Sequence, residues 1–353
     1  MPKTVLKGRF SHKMRGLGIL MRISSSVLAR RAINRPLVPE WSIPFEIGTL
    51  FWRLQFNHAF ALRDIKEGRA YLDACYSVLD PNLDVEIRPN TKLEPRGEWF
   101  IPRSQSGRAT MLYFHGGGYA FYLDVSRHFI ALLAQTLGIP IFAPDYRLTP
   151  ENPHPAQLED GLAAYKYLLT QGHNPENLIV CGDSAGGHLV LMSLLKIREE
   201  QLPQPMLAIG LSPWTDIGRR GESQFGNDCY DMVQGYQTLQ FATWLKDGTN
   251  FTNTELSPIY QDFRGLAPIY LQAGGKEILV DMIRDFAKAL EKQGSRVRLD
   301  VWEHMTHEFH AYGGHCLESR EALEYIRKSI AWARQSEGLQ NFSTTARTEV
   351  NSL

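Results

Sequence analysis

Between residues 83 and 302 the chain alternates short apolar runs with longer stretches in which apolar residues recur every three or four positions. DVEIRP (84–89) and GEWFIP (97–102) read as two early strands with an antiparallel start. ATMLYF (109–114), IPIFAPDY (139–146), NLIVCG (177–182), MLAIGLS (206–212), PIYLQAG (268–274) and RVRLDVW (296–302) are short, apolar and rich in β-formers, as buried strands are. Between most of them lie segments of helical period, such as PAQLEDGLAAYKYLLTQG and LVDMIRDFAKALEKQG, each ended by the glycine that often closes a helix. This alternation predicts an α/β fold: a mostly parallel, eight-stranded sheet with helices on both faces.

Two segments break the alternation, residues 1–80 and residues 215–257. The second carries helical pieces separated by Gly, Asn and Asp and interrupts the path between two strands, as a lid or cap insertion would. The expected division is therefore an N-terminal helical segment (1–80), a core in two parts (81–214 and 258–338), the insertion (215–257) and a polar tail (339–353) without apolar periodicity, expected to be flexible.

Composition narrows the function classes. With 38 Lys and Arg against 38 Asp and Glu among 353 residues, there is no global electrostatic case for nucleic acid. Four cysteines without C-x-x-C spacing suggest neither a zinc ribbon nor a disulfide framework, and point to a reducing, cytoplasmic setting. Charge is uneven, however: residues 1–39 carry nine Lys or Arg and no acid. The apolar stretch within them is too short and too charged to span a membrane, and a secretory signal fits poorly. Two readings remain, an amphipathic helix covering the fold and peripheral binding to an anionic membrane, the latter favoured by Trp41, Phe45, Phe51, Trp52 and Phe56 just downstream.

The candidate chemistry sits at strand ends. Gly182-Asp183-Ser184-Ala185-Gly186 has the form G-x-S-x-G between a predicted strand and a predicted helix, where small residues permit a sharp turn that exposes the serine hydroxyl. His115-Gly116-Gly117-Gly118-Tyr119 follows another strand, and its glycines let backbone N–H groups approach a ligand oxygen, as an oxyanion hole requires. The residue after the nucleophile, Ala185, supplies a further N–H. A phosphate loop is disfavoured because no G-x-x-x-x-G-K-[ST] is present. A serine needs a base and the base needs an acid. His307, in WEHMTHEFH, follows the last predicted strand, with His304 and His310 three residues either side. Glu277 stands at the end of PIYLQAG and Asp281 already on the next helix, so Glu277 is the expected acid and Asp281 the alternative.

These motifs, with DYRLTPENPHPA (145–156) and Ser257-Pro258, resemble the hormone-sensitive lipase group of α/β-hydrolase esterases over residues 95–335. The resemblance implies Ser184 as nucleophile, His307 as base, Gly117, Gly118 and Ala185 as oxyanion donors, and a cap built from the N-terminal helices and the insertion. One departure concerns the acid: many relatives have aspartate in a D-P-L element where this chain has Glu277-Ile278-Leu279.

Other polar residues read as structural. Asp145, Tyr146 and Arg147 are expected in a buried turn beneath the glycine loop, His188 as a packed residue, and the histidines near 304–310 lack the companion carboxylates of a metal site. The expectation is a serine esterase for short to medium acyl esters, a monomer or homodimer with no metal or organic cofactor. Hydrolysis of a lactone, amide or carbamate is the alternative, and a non-catalytic ligand-binding relative the remoter one.

Overall fold

The computed structural model describes residues 4–6, 9–77, 83–90, 95–335 and 345–347. Strand β1 (Thr4–Leu6) pairs antiparallel with β2 (Cys75–Ser77), and between them run α1 (Phe10–Ala32), α2 (Ile43–Phe60) and α3 (Ile65–Leu72). Helix α2 starts where the Ser42 hydroxyl accepts the Phe45 N–H and Pro44 occupies the first turn, and α3 where Asp64 accepts the Glu67 N–H. Glu46, fully buried on α2, takes Arg30 and Arg31 of α1 at 2.8 Å each and so fixes the two helices together.

The main sheet contains β3 (Val85–Pro89), β4 (Gly97–Pro102), β5 (Thr110–Phe114), β6 (Ile141–Pro144), β7 (Leu178–Asp183), β8 (Leu207–Leu211), β9 (Ile269–Gly274), β10 (Val297–Trp302) and β11 (Thr345–Arg347). Their spatial order is β11-β10-β9-β8-β7-β5-β6-β4-β3, antiparallel at β3/β4 and β4/β6 and parallel elsewhere. All eight expected strands are present. The ninth, β11, adds three residues of the expected tail in parallel with β10, where the ladder satisfies backbone groups that a free tail would leave to water; the rest of that tail lies outside the described residues.

Helices α4 (Asp124–Leu137), α5 (Ala156–Thr170), α6 (Ala185–Glu199), α10 (Val280–Lys292) and α11 (Leu317–Ala333) complete the core, while α7 (Ser223–Gly226), α8 (Gly235–Lys246) and α9 (Asn253–Leu256) lie within the insertion. Every residue of β5 and β7 is buried, because helices pack against both faces of the sheet. Register then fixes what meets at the carboxyl edge. Phe114 pairs with Gly182, so the glycine loop after β5 and the turn after β7 emerge side by side. Trp302 pairs with Gly274, which does the same for the segments carrying His307 and Glu277.

The expected buried turn at 145–147 is corrected in part. Tyr146 is buried and its hydroxyl donates to the His115 carbonyl at 2.6 Å, but Asp145 and Arg147 are exposed. Arg147 instead reaches outward to Asp160 and Glu159 at the start of α5, since a guanidinium finds carboxylate partners there without losing its hydration.

Candidate active site

The turn between β7 and α6 holds Ser184 at φ 52°, ψ −118°, a strained conformation for a residue with a side chain. It persists because the surroundings determine it: the Ser184 N–H donates to Leu211 O at 2.9 Å, and Ser184 O accepts from Trp214 N–H and His188 N–H. A Cβ on Gly182 would come within 2.7 Å of Phe114 O, and one on Gly186 would overlap the same carbonyl, so only glycine fits beside β5. The serine therefore stands at the N-terminus of α6, where the helix dipole favours developing negative charge.

In the loop after β5, Gly117 and Gly118 adopt φ 103° and 62°. The Gly117 carbonyl accepts from Ala120 and Phe121, and the Gly116 N–H donates to Asp183 Oδ2 at 2.9 Å. Among the described residues no hydrogen bond uses the N–H of Gly117 or Gly118, and both glycines line a cavity that Ser184 and His307 also line. Beneath the loop the His115 ring stacks between Tyr122 and Tyr146, with centroids at 3.9 and 4.2 Å, and burial holds its pKa down at about 4.

Glu277 is fully buried. Its Oε2 accepts from the Ser212 hydroxyl at 2.6 Å and from Gly274 N–H at 2.9 Å, while Oε1 has no partner among the described residues. Nδ1 of the buried His307 is likewise unpartnered. Buried polar atoms are rarely left so, and these are the two that a carboxylate–imidazole bond would join. Burial pushes the Glu277 carboxyl up to about 8 against the pull of Ser212 and Gly274, and holds His307 down at about 3.

The alternative acid, Asp281, accepts Ser223 N–H on Oδ2 at 2.9 Å and so ties the insertion to α10. His304 is partly exposed, with Nδ1 3.6 Å from Glu40, and His310 is buried against Phe309. His188 is held by the Tyr119 hydroxyl and the Leu256 carbonyl, both at 2.6 Å.

Three residues at the site escaped sequence reasoning. Ser212, just past β8, joins Glu277 and weakly receives Glu308 N–H at 3.4 Å. Asp231, buried within the insertion, accepts the N–H groups of Met232 and His307 on Oδ1 and of Ile278 on Oδ2, so one carboxylate grips the segments of both Glu277 and His307. Glu308 lines the cavity with Oε1 3.6 Å from His307 Nε2 and shares a hydrogen bond with Asp183. Burial and the Asp183 charge push Glu308 well above the carboxylate range. Since Asp183 also accepts from the Tyr113 hydroxyl and Gly116 N–H, Glu308 is the member that keeps the proton. Only its place beside His307 in THEF could have signalled it; nothing in the sequence marks Asp231 or Ser212.

The cavity above Ser184 measures about 450 Å³. Leu17 and Leu20 of α1, Phe51, Trp52 and Phe56 of α2, and Phe241 of α8 form much of its apolar wall. The downstream aromatics that favoured a membrane reading are therefore turned inward, Trp41 and Phe45 into the core and the other three onto the cavity.

Residues 111–311 match the family described as alpha/beta hydrolase fold. An acetyl-hydrolase of Streptomyces hygroscopicus is 36% identical over 229 residues, covering 64% of this chain and 76% of that protein. An esterase of Acinetobacter venetianus is 30% identical over 263 residues, covering 73% and 86% respectively. The solved structure of an esterase from the bacterial hormone-sensitive lipase family superposes with a TM-score of 0.69 at 26% identity, covering 93% of this chain and 99% of that one.

Proposed function

Because the chain belongs to the α/β-hydrolase family, in its hormone-sensitive lipase-like group of carboxylic ester hydrolases, we propose that Ser184, His307 and Glu277 act as its catalytic triad. His307 Nε2 takes the proton of Ser184 Oγ as the oxygen attacks the ester carbonyl carbon, and the carbonyl oxygen becomes an oxyanion that receives the N–H groups of Gly117, Gly118 and Ala185. The carbon–oxygen bond to the alcohol breaks and the alcohol leaves with the proton from His307. Water then gives a proton to His307, attacks the acyl-serine and releases the acid as Ser184 recovers its proton.

The observation that carries this reading is the pair of orphaned atoms, Glu277 Oε1 and His307 Nδ1, behind a strained serine in a cavity floored by glycine N–H groups. Burial disfavours charge on Glu277 or His307 alone, so the imidazolium formed during attack and an ionised Glu277 stabilise each other. The apolar chamber suits the acyl part of short to medium esters.

The test is hydrolysis of p-nitrophenyl esters from acetate to palmitate. Activity is expected to peak at short to medium chains. Ser184→Ala is expected to lose about 10⁵-fold or more in kcat and Glu277→Gln about 10³–10⁴-fold, with Asp281→Asn within about threefold of wild type. Full activity in Ser184→Ala would refute the triad, and a crippled Asp281→Asn would move the acid to that residue.

A further inference from the structure

One exposed stripe of α1 is apolar where a surface helix is ordinarily polar. Phe10, Met14, Leu17, Met21 and Leu28 follow one another at intervals of three, four and seven, so they form a single stripe along the helix, and all are exposed, Phe10 by 77% and Met21 by 56%. The side of α1 about 120° round from the stripe, with Gly16 and Val27 buried, packs on the rest of the protein. Helical geometry sets Lys13 on one flank of the stripe and Arg15 and Arg22 on the other. Arg30 and Arg31 are committed to Glu46, whereas Lys13, Arg15 and Arg22 form no ion pair among the described residues, and the helix contains no acid. Leu17 also belongs to the cavity wall, beside Leu20, so the stripe leads into the mouth above Ser184.

From this continuity we infer that α1 docks the protein on an anionic lipid surface and opens the catalytic cavity toward esters dissolved in that surface. The apolar stripe enters the acyl boundary while the flanking cations meet lipid phosphates. A second copy of the chain is the poorer occupant, because a symmetric pairing would set Arg15 and Arg22 against their own kind and cover the cavity mouth. No helix among the described residues is long and apolar enough to cross a membrane, so attachment through α1 is peripheral. The substrate class rests on the esterase reading; the docking does not.

The experiment uses the full chain with vesicles of phosphatidylcholine alone or with about one-third phosphatidylglycerol, measured by co-sedimentation and by hydrolysis of a vesicle-embedded ester beside soluble p-nitrophenyl butyrate. Met14→Asp/Met21→Asp and Arg15→Glu/Arg22→Glu change exposed positions away from the catalytic groups. Wild type is expected to bind the anionic vesicles at least about tenfold more tightly than the neutral ones, and each double variant to lose at least about tenfold in that binding and in embedded-ester turnover while keeping soluble-ester activity. Equal binding to both vesicle types, or variants that bind as wild type does, would overturn the docking. A wild-type dimer in sedimentation equilibrium that Met14→Asp/Met21→Asp dissolves would assign the stripe to a second copy instead. Loss of soluble-ester activity in wild type would refute the esterase reading and leave the binding result standing.

Discussion

The elbow at Ser184 and the helix α1 both border the same cavity, yet they are built on opposite terms. Around the elbow, side-chain atoms added to Gly182, Gly186 or Gly187 would meet Phe114, His115 or Pro213. On α1, a Cβ on Gly18 meets nothing within 4 Å. The catalytic side is specified by backbone packed against backbone, where one methyl is excluded. Helix α1 is held by ion pairs and apolar contact, which tolerate many residues. Chemistry needs fixed donors and a fixed nucleophile, whereas a substrate gate can be loosely packed and still work.

The most damaging way to probe that contrast is Gly186→Ala. Its methyl would overlap the Phe114 carbonyl and sit 2.6 Å from that of His115, so β5 and α6 must separate. The expected loss exceeds about 4 kcal/mol and leaves little folded protein, read by thermal melting and by ester hydrolysis. A well-folded, active variant would show that the elbow is as forgiving as the cap.

A smaller effect is expected at the joint between the two regions. Asp231 belongs to the insertion but grips His307 and Ile278 through their N–H groups, and Arg53 of α2 donates to the Asp231 carbonyl at 2.7 Å. Asn in its place keeps the shape but turns a donor toward one N–H group. A stability cost of about 1–3 kcal/mol is expected. Misplacement of His307 should lower kcat by about tenfold to a hundredfold with KM little changed. Burial raises the Asp231 carboxyl to about 7 against the pull of the Ile278, Met232 and His307 N–H groups. A raised carboxyl pKa means the folded state holds the proton that the unfolded chain releases, so this contribution to stability falls as pH rises from about 4 to about 7. Asn has no such proton, and the deficit of Asp231→Asn in denaturant melts should therefore be larger at pH 4.5 than at pH 8. A deficit that grows with pH would mean that the carboxylate form is the stabilising one.

The same contrast explains what could be read from the chain before folding. All eight core strands, the G-x-S-x-G turn and the three-glycine loop announce themselves through local pattern, because burial on both faces of the sheet, close backbone approach and positive φ restrict residue type at each position. Asp231 and Ser212 could not be read, since each acts on residues 47–96 positions away and neither residue type nor spacing foreshadows such contacts. Arg147 was misjudged for a related reason: burial of Tyr146 does not carry its neighbours inward, and two carboxylates on α5 offered the guanidinium a solvated partner. On α1 the basic, apolar character was legible, but which face stays exposed depends on Glu46, fifteen residues beyond Arg31.

The smallest predicted effect, Gly18→Ala, tests whether the cap is as loosely determined as its open surroundings imply. Gly18 lies in the interior of α1 with a negative φ and open space where a methyl would go, so alanine costs no contact and removes backbone freedom from the unfolded chain. The expected gain is about 0.5–1 kcal/mol, or about 1–2 °C in Tm by scanning calorimetry, with hydrolysis of soluble esters unchanged. A lower Tm would mean that glycine at this position serves a close approach after all, and α1 would then be specified by the same exclusion of a single methyl that shapes the elbow. A higher Tm with slower turnover would separate the two regions in a different way: the helix that walls the cavity would need its looseness, and the strained serine across from it would not.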